Sequence, residues 1–187
     1  MSKKICVFLA EGFEEVEAIT PIDYLRRAEI EVITVSITNS NTVTGSHKIP
    51  IITDTLISQI DPGAVDCIIL PGGMPGSVNL AASIELDTII KKFDNEKKLI
   101  CAICAAPVIV LGPKGILDGR TYTCYPGMEG KISCGEGCAQ WSCEKTIADG
   151  HIITSRGAGT AGLFSKKIIE KLISKEVAEK IAGAVLL

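Results

Sequence analysis

No stretch of more than two consecutive Lys or Arg residues occurs in this 187-residue sequence, and its formal net charge is −3. Nucleic acids and anionic bilayers are held by concentrated basic faces, so neither is expected as a partner. Long apolar runs are missing as well. The uncharged stretch 99–113 falls short of the ~18 apolar residues that a spanning helix needs, and Pro107 interrupts it. The N-terminal MSKKICVFLAEGFEE carries an apolar run too short for a secretory signal, followed by acids rather than a small-residue cleavage site. A cytoplasmic location is therefore expected, with the eight cysteines reduced rather than joined in a disulfide framework. There is no linker-like segment, internal repeat or long charge block, so residues 1–187 are expected to form a single domain.

What is present is a globular mix, 47% apolar and 22% charged. At this length roughly 70% of the unfolded surface can be buried. Short apolar runs alternate with helical patterns. Lys4–Leu9, Glu31–Ile37, Asp66–Leu70, Lys98–Ile103, Arg120–Cys124 and Ile152–Ser155 read as strands, and Thr42–Thr53 as a small hairpin. Glu14–Ala28, with Val16, Ile19, Ile22 and Leu25 on one stripe, reads as a helix. So do Ile84–Phe93, Ala105–Leu111, Ala161–Ile173 and Lys175–Leu186. Nearly continuous Ile, Val, Leu and Cys in the strands implies a parallel sheet buried on both faces, an α/β sandwich with helices on both sides. The Gly- and Cys-rich stretch 126–143 reads as a surface excursion.

In such a sheet the chemistry collects beyond the carboxyl ends of the strands. Four segments fall there: 10–17, 71–76, 104–107 and 156–160. Cys104 sits at a strand-to-helix junction, the position of an exposed nucleophile on an elbow turn. The following helix and the Ala105 amide are expected to favour its thiolate. The ordinary alternative is a buried core cysteine. The loop Pro71–Gly76 (PGGMPG) lacks both common phosphate-cradling patterns, and its Gly73 amide is a candidate second oxyanion donor. Of Glu14, Glu15 and Glu17, the last shares a helical face with Pro21 and Leu25, which makes it the inward candidate. It is expected to stay protonated and to donate a hydrogen bond to the Cys104 thiolate. The others read as an acidic first turn complementing the helix dipole.

The segments AEGFEEVEA (Ala10–Ala18), ILPGGMPG (Ile69–Gly76), AICAAP (Ala102–Pro107) and TSRGAGTA (Thr154–Ala161) together resemble the DJ-1/PfpI family. The likeness runs in order along nearly the whole chain. It implies a flavodoxin-like sandwich and a homodimer. It also implies Cys104 as the reactive cysteine, Glu17 as its acidic partner, and Gly73 with Ala105 as the amide pair, beside Gly72. Relatives of this type are described as glyoxalases or deglycases acting on methylglyoxal and its adducts without a metal or cofactor. Others are described as redox-responsive thiol proteins or chaperones, and the same cysteine serves both readings.

Two positions depart from the family pattern. Where many relatives carry a His near the cysteine, this chain has Tyr125, whose reference pKa near 10 rules out a neutral-pH base. His47 stands where relatives have an Arg that reaches the partner subunit's cysteine site. It either plays a pH-dependent version of that role or is a surface loop residue. Cys101 and Cys104 have thioredoxin-like spacing, but Cys101 falls inside a strand and reads as core. Cys134, Cys138 and Cys143 match no usual zinc spacing and read as surface thiols. Arg156 reads as a strand-end anchor or an anion ligand, and Trp141 as a loop staple or a pocket rim. A flavin or nucleotide site is set aside because no stacking aromatic pair is visible.

Overall fold

The computed structural model describes residues 3–132 and 137–187. Strand β1 (Lys4–Leu9) leads into helix α1 (Glu15–Arg27), followed by β2 (Glu31–Ser36). The short strands β3 (Thr42–Thr44), β4 (Pro50–Ile52) and β5 (Thr55–Leu56) come next, then β6 (Cys67–Leu70), α2 (Gly76–Ala82), α3 (Ile84–Asn95) and β7 (Leu99–Ile103). The second half holds β8 (Thr121–Tyr122), β9 (Gln140–Trp141), β10 (Thr146–Asp149), β11 (Ile152–Ser155), α4 (Ala161–Leu172) and α5 (Lys175–Ala184).

Seven strands form the main sheet in the order β10-β11-β7-β6-β1-β2-β5. All neighbours are parallel except the edge strand β10, which runs antiparallel to β11. Alternate strand residues feed two separate cores. Cys6, Phe8, Ile68, Leu70, Ile100 and Ala102 point to one side, against Leu80 of α2 and Leu86, Ile89, Ile90 and Phe93 of α3. Ile5, Val7, Leu9, Ile69, Cys101 and Ile103 point to the other, against Ile22 and Leu25 of α1, Phe164 and Ile168 of α4, and Ile181 of α5. Double-sided burial is why these strands read as unbroken apolar runs, and it gives the α/β, flavodoxin-like sandwich. Among the described residues no helix is long and apolar enough to cross a membrane.

Several elements differ from the sequence expectation. The stretch after β7 is not an ordinary helix but a π-helical turn at Pro107–Leu111, followed by a short 3-10 turn at Gly112–Lys114. Such a short turn cannot offer Cys104 the dipole of a full helix. The strand expected over 120–124 shrinks to β8, which pairs in parallel with β9 outside the main sheet. The edge strands β5 and β10, and helix α2, were not read from the sequence. The expected hairpin is present as the antiparallel pair β3–β4.

Candidate active site

Cys104 follows the last residue of β7 and adopts φ 65°, the left-handed region that a β-carbon disfavours. Two hydrogen bonds fix that turn. Its amide donates to Ser155 O at the end of β11 (2.9 Å), and its carbonyl accepts from the Tyr125 amide (2.8 Å). The side chain is half-buried, and the amides of Gly73 and Ala105 donate to its sulfur.

Glu17 lies in the first turn of α1, on the same inward face as Pro21 and Leu25, and is 1% exposed. Its carboxyl accepts from the Gly72 amide (2.9 Å) and from the Ala158 amide, and is hydrogen-bonded to Cys104. The Gly72 carbonyl in turn accepts from the Glu14 amide (3.0 Å), tying the glycine loop to the start of α1. Gly72 thus anchors the acid. A β-carbon there would stand 2.5 Å from both Cys104 Cβ and Glu17 Oε2, so only glycine fits.

Both groups of the pair are shifted upward. Burial, followed by the charge and hydrogen bond of Glu17, pushes the Cys104 thiol up to about 12, against the pull of the Gly73 and Ala105 amides. Burial also pushes Glu17 up to about 7, against its hydrogen bonds from Cys104 and Gly72. The two groups compete for a single charge and titrate as a pair.

The other sequence candidates are placed as follows. Tyr125 is 52% exposed at the rim. Its ring, Glu17 Oε1 and Cys104 Sγ surround the position that a β-carbon on Gly157 would occupy, at 3.6, 3.7 and 4.0 Å. His47 is held by α1: its amide donates to Glu15 Oε1 (2.7 Å) and its Nδ1 meets Glu15 Oε2 (2.9 Å), with Ser46 Oγ alongside. Glu15 is buried, not a solvated first-turn acid. Burial raises its pKa, but hydrogen bonds from His47 and backbone amides outweigh this and hold it down near 2. Donor atoms of Glu14, Glu15 and His47 lie within 4.8 Å of one another. Cys101 is fully buried with its Sγ 3.7 Å from that of Cys67, so its neighbour is not Cys104. Arg156 donates from Nη1 to Cys143 O (3.2 Å), a strand-end anchor. Trp141 lies in β9, pairing alongside Tyr122. Cys138 and Cys143 are exposed, and Cys134 lies outside the described residues.

Sequence reasoning missed the part played by Ser155, Gly157 and Ala158. One signal was available: residues 157–162 spell G-x-G-x-x-G from beyond β11 into the first turn of α4. Elsewhere that spacing cradles phosphate; here the Ala158 amide is directed at the Glu17 carboxyl instead. Concavity alone would also have misled. Grooves of roughly 690 and 710 Å³ lie against the end of α1 and along α4, lined by neither Cys104 nor Glu17.

Comparison with known proteins agrees with this geometry. The family model described as DJ-1/PfpI matches residues 3–171. Protein DJ-1 homolog B of Arabidopsis thaliana is 38% identical over 186 residues, covering 100% of this chain and 42% of its own length. The chain thus spans less than half of that relative. A protein of Pyrococcus abyssi named a deglycase is 30% identical over 172 residues, 90% of this chain and 99% of its own length. The solved structure of oxidized Toxoplasma gondii DJ-1 superposes with a TM-score of 0.93 at 36% identity, covering 99% of this chain and 98% of that one. The chain, with its glycine loop, cysteine elbow and inward glutamate in the order expected, belongs to the DJ-1/PfpI family.

Proposed function

We propose that this protein is a cysteine-dependent, cofactor-independent glyoxalase or deglycase acting on methylglyoxal or its protein adducts. The observation that carries the reading is the contact of a half-buried thiol on a strained elbow with a buried carboxyl that titrates near 7, under two amides aimed at the sulfur. The name of the Pyrococcus relative adds support.

The scheme takes Glu17 as the base of the pair. Glu17 carboxylate takes the thiol proton as Cys104 sulfur adds to the aldehyde carbon, so no free thiolate accumulates. The amides of Gly73 and Ala105 receive the developing oxyanion, a contribution worth about 3 kcal/mol per donor in other enzymes. Glu17 passes the thiol proton to that oxyanion, giving a neutral hemithioacetal. Its carboxylate then moves the proton of the former aldehyde carbon to the ketone oxygen, forming an enediol, and next moves the proton of the first hydroxyl to the adjacent carbon, leaving a carbonyl beside sulfur. The first carbon is oxidised and the second reduced, giving a thioester of a hydroxy acid. Water releases the acid and regenerates the thiol. Overall, methylglyoxal plus water gives lactate. With an amine adduct, the same attack expels the amine. Cys104→Ser should abolish lactate formation, followed by NMR, and Glu17→Gln should lower it by orders of magnitude. Near-native turnover by either folded variant would overturn the scheme.

A second reading shares the residues. Cys104 thiol with two equivalents of hydrogen peroxide gives a sulfinic acid and two waters, with Glu17 as hydrogen-bond partner. The similar Toxoplasma structure, described as oxidized, favours keeping it. Efficient oxidation of Cys104, read by mass spectrometry, with negligible aldehyde turnover would make it the better account. We also propose a homodimer. Val16 and Ile19 of α1 and Ile49 and Ile52 of the hairpin are exposed apolar side chains, a surface suited to a second copy. Light scattering would test it.

A further inference from the structure

The end of β11 reaches both members of the Glu17–Cys104 pair. The Ser155 carbonyl accepts from the Cys104 amide (2.9 Å). The Ser155 hydroxyl is fully buried and meets Thr160 Oγ1 (2.8 Å) and Thr146 Oγ1 (3.0 Å). Thr160 folds back on the loop that follows the strand. Its hydroxyl donates to Gly157 O (2.8 Å) and accepts from the Gly157 amide (3.1 Å), and its own amide also donates to Gly157 O (2.8 Å). The Gly157 carbonyl and the Ala158 amide belong to one trans peptide unit, in which C=O and N–H point in opposite directions. Holding the carbonyl toward Thr160 therefore directs the N–H toward Glu17, whose carboxyl accepts from it. The Gly72 amide donates to Glu17 Oε2 (2.9 Å), and Oε1 is the oxygen beside Gly157.

We infer that Thr160 is a positioning residue: its hydroxyl locks the Gly157–Ala158 peptide so that the Ala158 amide stays on the Glu17 carboxyl, and Ser155 joins that lock to the Cys104 elbow. The backbone of Gly157 is extended, at φ 163° and ψ −169°, and glycine puts no side chain in the way of rotation of the next peptide. Without the hydroxyl, the Thr160 amide alone among the described residues holds the carbonyl. A rotated peptide would place the Gly157 oxygen where the Ala158 hydrogen had been. That arrangement suits a protonated acid and repels its anion. The effect runs through Glu17 itself, so it applies whether the pair turns over aldehydes or meets peroxide.

The test follows the Glu17 carboxyl directly, by carbon-13 NMR of protein labelled at the glutamate side-chain carboxyl and titrated with acid and base, with Glu17→Gln assigning the signal. Thr160→Val keeps the shape of the side chain and removes the hydroxyl; Thr160→Ser keeps the hydroxyl. The titration midpoint should rise by about one pH unit in Thr160→Val, on the order of what one backbone donor is worth to a carboxylate. Thr160→Ser should restore it. Ala158→Pro deletes the donor outright at the first residue of its 3-10 turn, a position that tolerates proline. It should raise the midpoint by a similar amount, and adding Thr160→Val to it should raise it no further, because both changes remove the same bond. No substrate enters the titration, so its outcome is separate from that of the turnover assay. An unmoved midpoint in either folded variant would overturn the inference, and so would full additivity of the two changes.

Discussion

The Glu17 carboxyl and the Cys104 thiol are hydrogen-bonded partners that compete for one charge. A pKa raised to about 7 suits Glu17 to the role of base in the proposed scheme. A carboxylate in its usual range, near 4, would be too weak to take a thiol proton efficiently.

Turnover should therefore rise with pH through about 7, as Glu17 loses its proton. In Glu17→Gln that acidic limb should vanish and kcat/KM fall by roughly 10²–10⁴-fold. The residual rate should follow the ionisation of Cys104 itself, at a lower pH than in the wild type because the repelling charge is gone. Alkylation rates across pH check both points. A Gln variant that retains the limb would assign it elsewhere.

Stability carries the same signature. The folded pKa of Glu17 is raised from 4.5 to about 7, so the native state binds this proton more tightly than the unfolded chain. The stabilisation is complete below the unfolded value and is lost as pH climbs through 7, amounting to about 3 kcal/mol from this one buried group. Urea titrations between pH 4.5 and 8 should show the wild type losing stability relative to Glu17→Gln across that window. Parallel curves would refute the shift.

Gly72→Ala should be far more damaging than its single methyl suggests. The added carbon collides with Cys104 Cβ and Glu17 Oε2 at once, and overpacking of this kind costs about 1–3 kcal/mol. Activity should drop to background, with a lowered melting temperature. A variant with native turnover would mean that the loop can move aside.

Cys101→Ser should neither change aldehyde turnover nor prevent Cys104 from reaching sulfinic acid, because the Cys101 sulfur sits against Cys67 inside the core. Peptide mapping after peroxide treatment should find no Cys101–Cys104 disulfide. Detection of that bridge would restore the thioredoxin-like reading of the spacing.

The layered sheet was legible because burial on both faces writes an unmistakable pattern: β1, β6 and β7 are apolar at every central position, odd and even alike. The inward turn of Glu17 was legible from its shared stripe with Pro21 and Leu25. The charge state of Cys104 was not, since it depends on desolvation and on a neighbour 87 positions away in the chain. The helix expected after β7 failed for a local reason. Prolines at 107 and 113 lack backbone donors, and Gly112 between them is a poor helix former, so the regular ladder is not sustained. The Ala158 amide was overlooked because a backbone donor leaves no mark in the side-chain pattern. Strand β8 was overestimated because Thr-Tyr-Thr-Cys suits a strand but finds only β9 beside it.

The elbow at Cys104 has a thermodynamic consequence for the lineage as a whole. A side chain held at φ 65° costs about 1–2 kcal/mol relative to a glycine in the same place. Breeding this protein in the laboratory for heat tolerance alone should drift toward glycine at position 104, discarding the sulfur. Persistence of cysteine there would record selection for what the atom does, against a standing pull toward a sturdier but inert chain.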